Sequence, residues 1–105
     1  MKRSDFEIAA DPFKRAVGIM FRKKLERPML FDFGRETKVS IHSFFCFISF
    51  DAVLLDKEGK VAEVKKNIRP FSYYSFRKKG HYLIEMPAGN ADKLGLRIGK
   101  TAARL

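Results

Sequence analysis

The densest apolar segment of the chain, residues 39–55, most constrains the fold. It contains neither glycine nor proline, and its Phe, Ile and Val side chains suit a pleated, buried surface. Ser, His and Asp interrupt the segment, and it is shorter than the roughly 20 mostly apolar residues that cross a bilayer. It therefore predicts one or two buried β-strands at the centre of a small all-β core.

The length and composition predict one self-sufficient domain, residues 1–105. Hydrophobic residues make up 46% of the chain and include 11 Phe, so a core can form without a disulfide or a structural metal. The single cysteine, Cys46, has no intramolecular disulfide partner, and residues 1–7 lack the apolar stretch of a signal peptide. We therefore expect a cytoplasmic protein that does not enter a membrane.

Two helices are predicted from capping residues and spacing. Asp11 and Pro12 suit a helix N-cap and the first helical position. Apolar residues follow at spacings of three and four, which predicts a short amphipathic helix closing one end of the core: Phe13, Ala16, Val17 and Met20. In the C-terminal half, Asn90 is expected to cap a helix over residues 91–94 that Gly95 ends in the left-handed conformation.

The clearest local signal is a hairpin turn at residues 56–59. Asp56 and Gly59 suit the first and fourth positions of a type I turn, which predicts a hairpin between residues 50–55 and 60–65. The imperfect alternation of the second arm indicates a β-bulge.

Short apolar segments separated by turn residues complete the predicted fold. Strands are expected at residues 6–8, 29–33 and 81–86 and an edge strand within 96–103, with polar turns at 34–38 and 77–80. The pattern predicts a mostly β protein, a compact antiparallel β-sandwich or barrel with an N-terminal capping helix and one short helix in the C-terminal half.

Three motifs, in this order, resemble the domain of unknown function 192 family. They are Gly18–Arg22 with Leu25 and residues 29–33; Phe50–Asp51 with residues 55–61; and residues 82–89 followed by Gly95 and Gly99. The resemblance implies a compact β-rich fold and no established activity. Two positions depart from the family pattern: His42-Ser43 stands where many bacterial relatives have a Trp-Met pair, and Lys100 stands where the closing motif has an acid. The short, unexported form is similar to archaeal members, which again favours the cytoplasm.

No catalytic, metal or cofactor site is predicted. On a strand, His42 and Cys46 would lie roughly 13 Å apart, too far for a nucleophilic pair. Ser43 lacks the glycines of a nucleophile elbow. The two His and one Cys lack the paired spacing of a zinc site. The chain is therefore more simply explained as a protein that is not an enzyme.

Asp51 is the acidic residue most in need of a partner. It shares a strand face with Val53 and Leu55, so a buried carboxylate there requires a partner or a shifted pKa. One hypothesis is a structural ion pair with Arg22. The alternative is a ligand cleft that joins Asp51 and Arg22 with Glu85 and His42, in which Asp51 and Glu85 could act as an acid–base pair only if their strands are neighbours.

The segment 65–79 combines basic and aromatic side chains. The chain carries a formal net charge of +10, which attracts polyanions. Small β-domains can bind nucleic-acid single strands by stacking bases on aromatic rings in a basic groove. The candidate residues are Lys65, Lys66, Arg69, Tyr73, Tyr74, Arg77, Lys78 and Lys79. The simpler alternative is that the rings are partly core and the charges merely solvated.

Together these features predict a non-enzymatic binding module for a polyanion, such as a nucleic acid, or for an acidic protein partner. The alternative is a small-ligand protein or enzyme with a cleft around Asp51, Arg22 and Glu85.

Overall fold

The computed structural model of the protein describes residues 1–9 and 27–105. The elements of these residues are a 3-10 turn at Arg3–Asp5, strands β1 (Glu7–Ala9), β2 (Met29–His42), β3 (Phe50–Leu55), β4 (Val61–Ile68) and β5 (Tyr73–Pro87), and helix α1 (Asn90–Lys93). The predicted capping helix that starts at Asp11, and the candidate site residue Arg22, lie outside the described residues.

The described strands form one mixed, open sheet in the order β1-β2-β5-β3-β4. β1 runs parallel to β2, whereas the β2–β5, β5–β3 and β3–β4 pairs are antiparallel. The mostly β character is confirmed. Two packed sheets or a closed barrel are not seen in this part of the chain, and the purely antiparallel prediction is corrected by the parallel pairing of β1.

Two apolar clusters cover the two faces of this sheet. Successive side chains of a strand point to opposite faces, so Phe50 and Leu54 of β3 belong to the first cluster, while Val53 and Leu55 belong to the second. All of β3 is buried, and the predicted central position of residues 50–55 is confirmed. Helix α1 and the C-terminal segment pack on the second cluster through Ala91, Leu96 and residues 102–103.

The sheet curls over the first cluster. Glu63 lies on β4, two strands from β5 in the sheet order, yet its carboxylate accepts hydrogen bonds from the Arg77 and Lys78 N–H groups of β5 at 2.8 and 3.0 Å. Glu63 pairs across the sheet with Leu54 of the first cluster, so the curl closes towards that cluster. The Glu63 side chain thus bridges β4 and β5, while the backbone ladder of the described strands stays open.

β2 and β5 are longer than predicted because they pair with each other through both predicted polar turns. Thr37 pairs with Gly80 and Lys38 with Lys79, with register shifts on either side. Gly80 does not turn the chain: a Cβ there would lie 2.3 Å from the Leu54 Cδ1 atom, so glycine permits close packing of β5 on the core. Cross-strand hydrogen bonding outweighs the local turn preferences of residues 34–38 and 77–80.

The predicted hairpin is confirmed, whereas the predicted final strand is wrong. The Gly59 N–H donates to the Asp56 carbonyl at 3.1 Å, and a register shift after Leu54 gives the expected irregularity. Residues 96–103 form no strand beyond an isolated bridge from Lys60 to Thr101. They wrap around the turn instead, because the Ala102 N–H donates to the Gly59 carbonyl at 2.9 Å.

The short C-terminal helix is confirmed with a different cap. Helix α1 begins at Asn90, and its N-cap is Gly89 in the left-handed conformation. Gly95 follows its end with a φ of 64°, as predicted. In the described ranges, no helix is both long and apolar enough to cross a membrane.

The segment 39–55 is not one continuous buried stretch. β2 ends at His42, β3 begins at Phe50, and residues 43–49 form a loop between them. Phe44, Phe45 and Phe47 of this loop are exposed. The loop places aromatic rings on the surface where the sequence pattern predicts core.

Candidate functional site

Exposed aromatic side chains gather on two neighbouring loops, residues 43–49 and 69–72. The Phe45 ring is 52% exposed and the Phe71 ring 59% exposed, and their centroids lie 6.1 Å apart in an edge-on arrangement. His42 stacks on Phe44 with 5.3 Å between ring centroids. His42 also pairs across the β2–β5 ladder with Tyr73, which is 66% exposed. We call His42, Phe44, Phe45, Phe47, Phe71 and Tyr73 the aromatic face.

Two residues of the aromatic face have a strained backbone. Phe45 and Phe71 have φ angles of 62° and 58°, in the left-handed region. For a bulky L-residue this conformation costs about 1–2 kcal/mol. Both rings nevertheless remain more than half exposed.

Ser43 fixes the two loops to each other. Its side chain is fully buried, and its hydroxyl donates to the Arg69 carbonyl at 2.5 Å and accepts from the Ser72 N–H at 2.7 Å. Its backbone N–H donates to the Ser72 carbonyl at 2.8 Å, and its carbonyl accepts from the Phe71 N–H at 2.8 Å. These bonds hold the turns of Phe45 and Phe71 side by side before any ligand arrives.

A groove of about 310 Å³ opens beside the aromatic face. It brings together four of the eight predicted nucleic-acid residues, Lys65, Arg69, Tyr73 and Tyr74. Asn67, Ile68 and Ser72 complete its lining. The groove therefore combines two cations with aromatic and hydrogen-bonding groups.

The other four predicted residues lie outside this groove. Lys66 pairs with Asp92 at 2.6 Å, and the hydrogen bond that its ammonium group donates to that carboxylate raises the pKa of Lys66. Arg77, Lys78 and Lys79 are exposed on β5 and do not line the groove.

Tyr74 is already engaged. Its hydroxyl donates to Glu63 at 2.5 Å, its ring meets Phe76 edge-on at 5.0 Å, and the Lys65 Nζ atom lies 5.2 Å from the ring centroid. The hydrogen bond to Glu63 raises the pKa of Tyr74. Burial alone would raise the pKa of Glu63, but hydrogen bonds from Tyr74, Lys78 and Arg77 lower it overall. Tyr73, rather than Tyr74, offers an open ring.

Asp51 is bonded by backbone groups. Its carboxylate is 1% exposed and accepts hydrogen bonds from the N–H groups of Asn67 at 2.9 Å and of Gly89 and Ala91 at 3.0 Å. Asn67 has a left-handed backbone with φ 52° at the end of β4. Asp51 thus joins β4 to the start of α1.

Glu85 lies on a strand next to that of Asp51 but faces the other way. β3 and β5 are neighbours, and Asp51 pairs with Met86, so the alternation of side chains directs Glu85 to the opposite, first-cluster face. Glu85 is 6% exposed, and none of the described residues donates a hydrogen bond to its Oε2 atom. The two acids therefore do not meet in one cleft, and His42 lies apart from both on the aromatic face.

Burial changes the acidity of both Glu85 and Cys46. Removal from water raises the pKa of Glu85 to about 8. Burial first, and the nearby Glu85 carboxyl second, raise the pKa of the Cys46 thiol to about 11. Within residues 1–9 and 27–105, no group of three or more His, Cys, Asp or Glu side chains is placed to hold a metal ion.

The aromatic face contains four residues that the sequence reasoning missed as site residues: Phe44, Phe45, Phe47 and Phe71. No sequence signal separates the first three from core residues, because a strand buried on both faces, such as β3, also reads as a continuous apolar run. Nothing near Phe71 reveals its position, because that position depends on hydrogen bonds to Ser43.

Comparison with known proteins decides the family. The sequence pattern of the DUF192 family, described as Uncharacterized ACR, matches residues 1–103. The chain belongs to the DUF192 family. The three motifs are thereby confirmed as a family resemblance, and the hydrogen bond from Gly89 to Asp51 shows that two of them meet in the fold. The loops of the aromatic face lie between these motifs.

Archaeal relatives and two solved structures of bacterial proteins extend the comparison. This DUF192 chain is 35% identical to a UPF0127 protein of Thermococcus sibiricus over 95 residues, which are 89% of the chain but only 61% of that relative's length. It is 36% identical to a UPF0127 protein of Pyrococcus horikoshii, covering 86% and 79% of the two chains.

The solved structures share the fold. A protein of Sinorhizobium meliloti superposes with a TM-score of 0.84 at 28% identity, covering 90% of this chain and 76% of that one. A protein of unknown function from Novosphingobium aromaticivorans superposes with a TM-score of 0.81 at 23% identity, covering 89% and 69%.

Proposed function

We propose that this DUF192 protein is a non-enzymatic binding module whose basic groove and aromatic face engage a polyanion. The single observation that carries the proposal is the strained, exposed pair Phe45 and Phe71 beside a groove that contains Lys65 and Arg69. Strained backbone conformations cluster at binding sites.

Charge favours an anionic ligand over an uncharged one. The chain carries a net charge of +10. Glu63, which bonds to Tyr74 of the groove, keeps its negative charge, but its carboxylate is already engaged by the Tyr74 hydroxyl and two backbone N–H groups. Lys65 and Arg69 are exposed, so they can release counterions when they meet phosphates or carboxylates. The Sinorhizobium meliloti protein has been assigned provisionally as a transcription regulator. That assignment belongs to that protein, and it agrees with nucleic acid as the anionic partner here.

An acidic protein is the other polyanion that fits such a face. The small-ligand alternative has less support, because the Asp51 carboxylate is committed to three N–H groups and Glu85 points to the opposite face.

Charge reversal in the groove tests the proposal. The double variant Lys65→Glu, Arg69→Glu should lower affinity for labelled DNA, RNA or heparin about 10-fold or more, and should reduce the slope of log affinity against log salt by about 1–2. The matched control is Lys93→Glu, Arg97→Glu, which changes the net charge equally at exposed residues in and after α1.

Fluorescence anisotropy across a salt series measures both quantities. Equal losses in the two double variants would mean that only total charge matters, and the assignment of the groove as a binding site would then be wrong.

A further inference from the structure

We infer that the polyanion is a nucleic-acid single strand, whose bases stack on the Phe45–Phe71 pair while its backbone follows the groove of Lys65 and Arg69. This inference rests on the proposed function and names its ligand. It differs from a general affinity for anions because it assigns a role to apolar rings.

The exposed rings suit a ligand with open aromatic faces. Phe45, Phe71 and Tyr73 present large apolar surfaces to water, and phosphate groups gain nothing from contact with them. In a duplex, bases are stacked on each other and their faces are closed. In a single strand each base can stack on an aromatic side chain, and such contacts tolerate different sequences.

The spatial arrangement places both kinds of contact within one ligand's reach. Tyr73 belongs both to the aromatic face and to the lining of the groove, so the two sites are continuous. Lys65 and Arg69 offer donors to phosphate or base edges along the same lining. The Ser72 hydroxyl donates to the Arg69 carbonyl at 2.7 Å, so it offers a ligand only its acceptor lone pairs. A backbone in the groove would therefore direct its bases towards the rings.

The site is preformed. The hydrogen bonds of Ser43 fix residues 69–72 against the loop of Phe45, and the left-handed backbone sets the direction of both rings. Binding then requires little ordering of the protein, which favours affinity.

Other occupants fit these observations less well. A second copy of the chain would bring another charge of +10 against the same basic surface. A membrane surface would accept the rings, but it would make no contact with the polar groove beside them, which is lined by Asn67, Ser72 and Arg69.

The test compares three anionic ligands with one pair of variants. Labelled single-stranded oligomers of about 12 nucleotides, the corresponding duplex and inorganic polyphosphate are titrated by anisotropy near physiological salt. The variant Phe45→Gly, Phe71→Gly removes both rings and also relieves the left-handed strain, so the chain should remain folded. Ile98→Ser, at an apolar residue 62% exposed and outside the aromatic face, is the control.

The single strand should bind about 10-fold or more tightly than the duplex, and the double glycine variant should lose about 10-fold or more of that affinity. Its affinity for polyphosphate should not change, its melting temperature should not fall, and Ile98→Ser should bind as the wild type does.

Three results would overturn the inference. If all three ligands bind equally well and the glycine substitutions do not change their affinities, the surface binds polyanions in general and stacking plays no part. If none of the three anions binds, the proposed function is wrong as well. If the oligomer does not bind but anionic vesicles of phosphatidylcholine and phosphatidylserine do, in a Phe45-dependent manner, the face belongs to a membrane surface and the inference is wrong.

Discussion

At the scale of single residues, Asp51 and Glu85 show how the same chemical group takes opposite roles on adjacent strands. Asp51 is buried and accepts three hydrogen bonds, whereas Glu85 is buried with an Oε2 atom that accepts none from the described residues. The sequence correctly marks Asp51 as a residue in need of a partner. It could not identify the partners, because they are backbone N–H groups that lie 16, 38 and 40 residues along the chain.

Substitution of Asp51 by Asn should destabilise the fold. An amide offers only one acceptor oxygen, so either Asn67 or the Gly89 and Ala91 pair is left with an unsatisfied buried N–H. We expect a loss of about 1–3 kcal/mol in the free energy of unfolding, measured with urea. Asp92→Asn, which breaks only the exposed pair with Lys66, should cost no more than about 0.5 kcal/mol. Comparable small losses in both variants would contradict the structural role of Asp51.

The buried Glu85 should make stability depend on pH. Its pKa rises from 4.5 to about 8 in the folded state, so between these values the folded chain retains a proton that the unfolded chain releases. The contribution of Glu85 to the free energy of unfolding is therefore greatest below pH 4.5. It falls as pH rises towards 8, by up to about 1.4 kcal/mol per pH unit.

Glu85→Gln should remove this dependence and raise the melting temperature at pH 7–8 relative to the wild type. The exposed Glu36→Gln is the control for loss of one negative charge. Parallel stability–pH curves for wild type and Glu85→Gln would show that Glu85 does not hold its proton.

At the scale of elements, the sequence predicts the turns and strands that adjacent residues determine. It does not predict the loops whose conformation depends on residues far along the chain. The hairpin at Asp56 and Gly59 is predicted correctly because four adjacent residues determine the turn. The loop 43–49 is missed because its conformation depends on Ser43 bonding to Ser72, 29 residues away. Apolar composition alone cannot distinguish Phe50 in the core from Phe45 on the surface.

The hairpin turn also anchors the C-terminal segment, which Gly59→Ala should disrupt. Gly59 has a φ of 82°, and an added Cβ would lie 2.0 Å from the Ala103 carbonyl oxygen. Gly34 has a similar φ of 71° with open space around it, so Gly34→Ala carries the backbone strain without the collision. We expect Gly59→Ala to cost about 1–3 kcal/mol more than Gly34→Ala in urea unfolding.

The same variant should speed hydrogen exchange at the Ala102 amide, whose N–H bonds to the Gly59 carbonyl. Equal losses of stability for the two substitutions would mean that the C-terminal segment is not packed against the turn.

At the scale of the whole molecule, the face that carries the aromatic rings is distinct from the parts that hold the fold together. The second and third family motifs contribute Asp51, Gly59 and Gly89 to turns and caps, whereas the loops of Phe45 and Phe71 lie between motifs. These motifs thus stabilise the fold, and the surface that we assign to ligand binding lies outside them.

The most direct test of this assignment is a map of amide chemical shifts during titration with a single-stranded oligomer, recorded by NMR on the full chain. We predict perturbations at residues 42–47 and 65–74, with little change at residues 93–100 or in the cleft formed by Lys2, Asp5 and Arg104. Perturbations centred on the cleft or on residues 93–100, or spread evenly over all basic residues, would contradict the account.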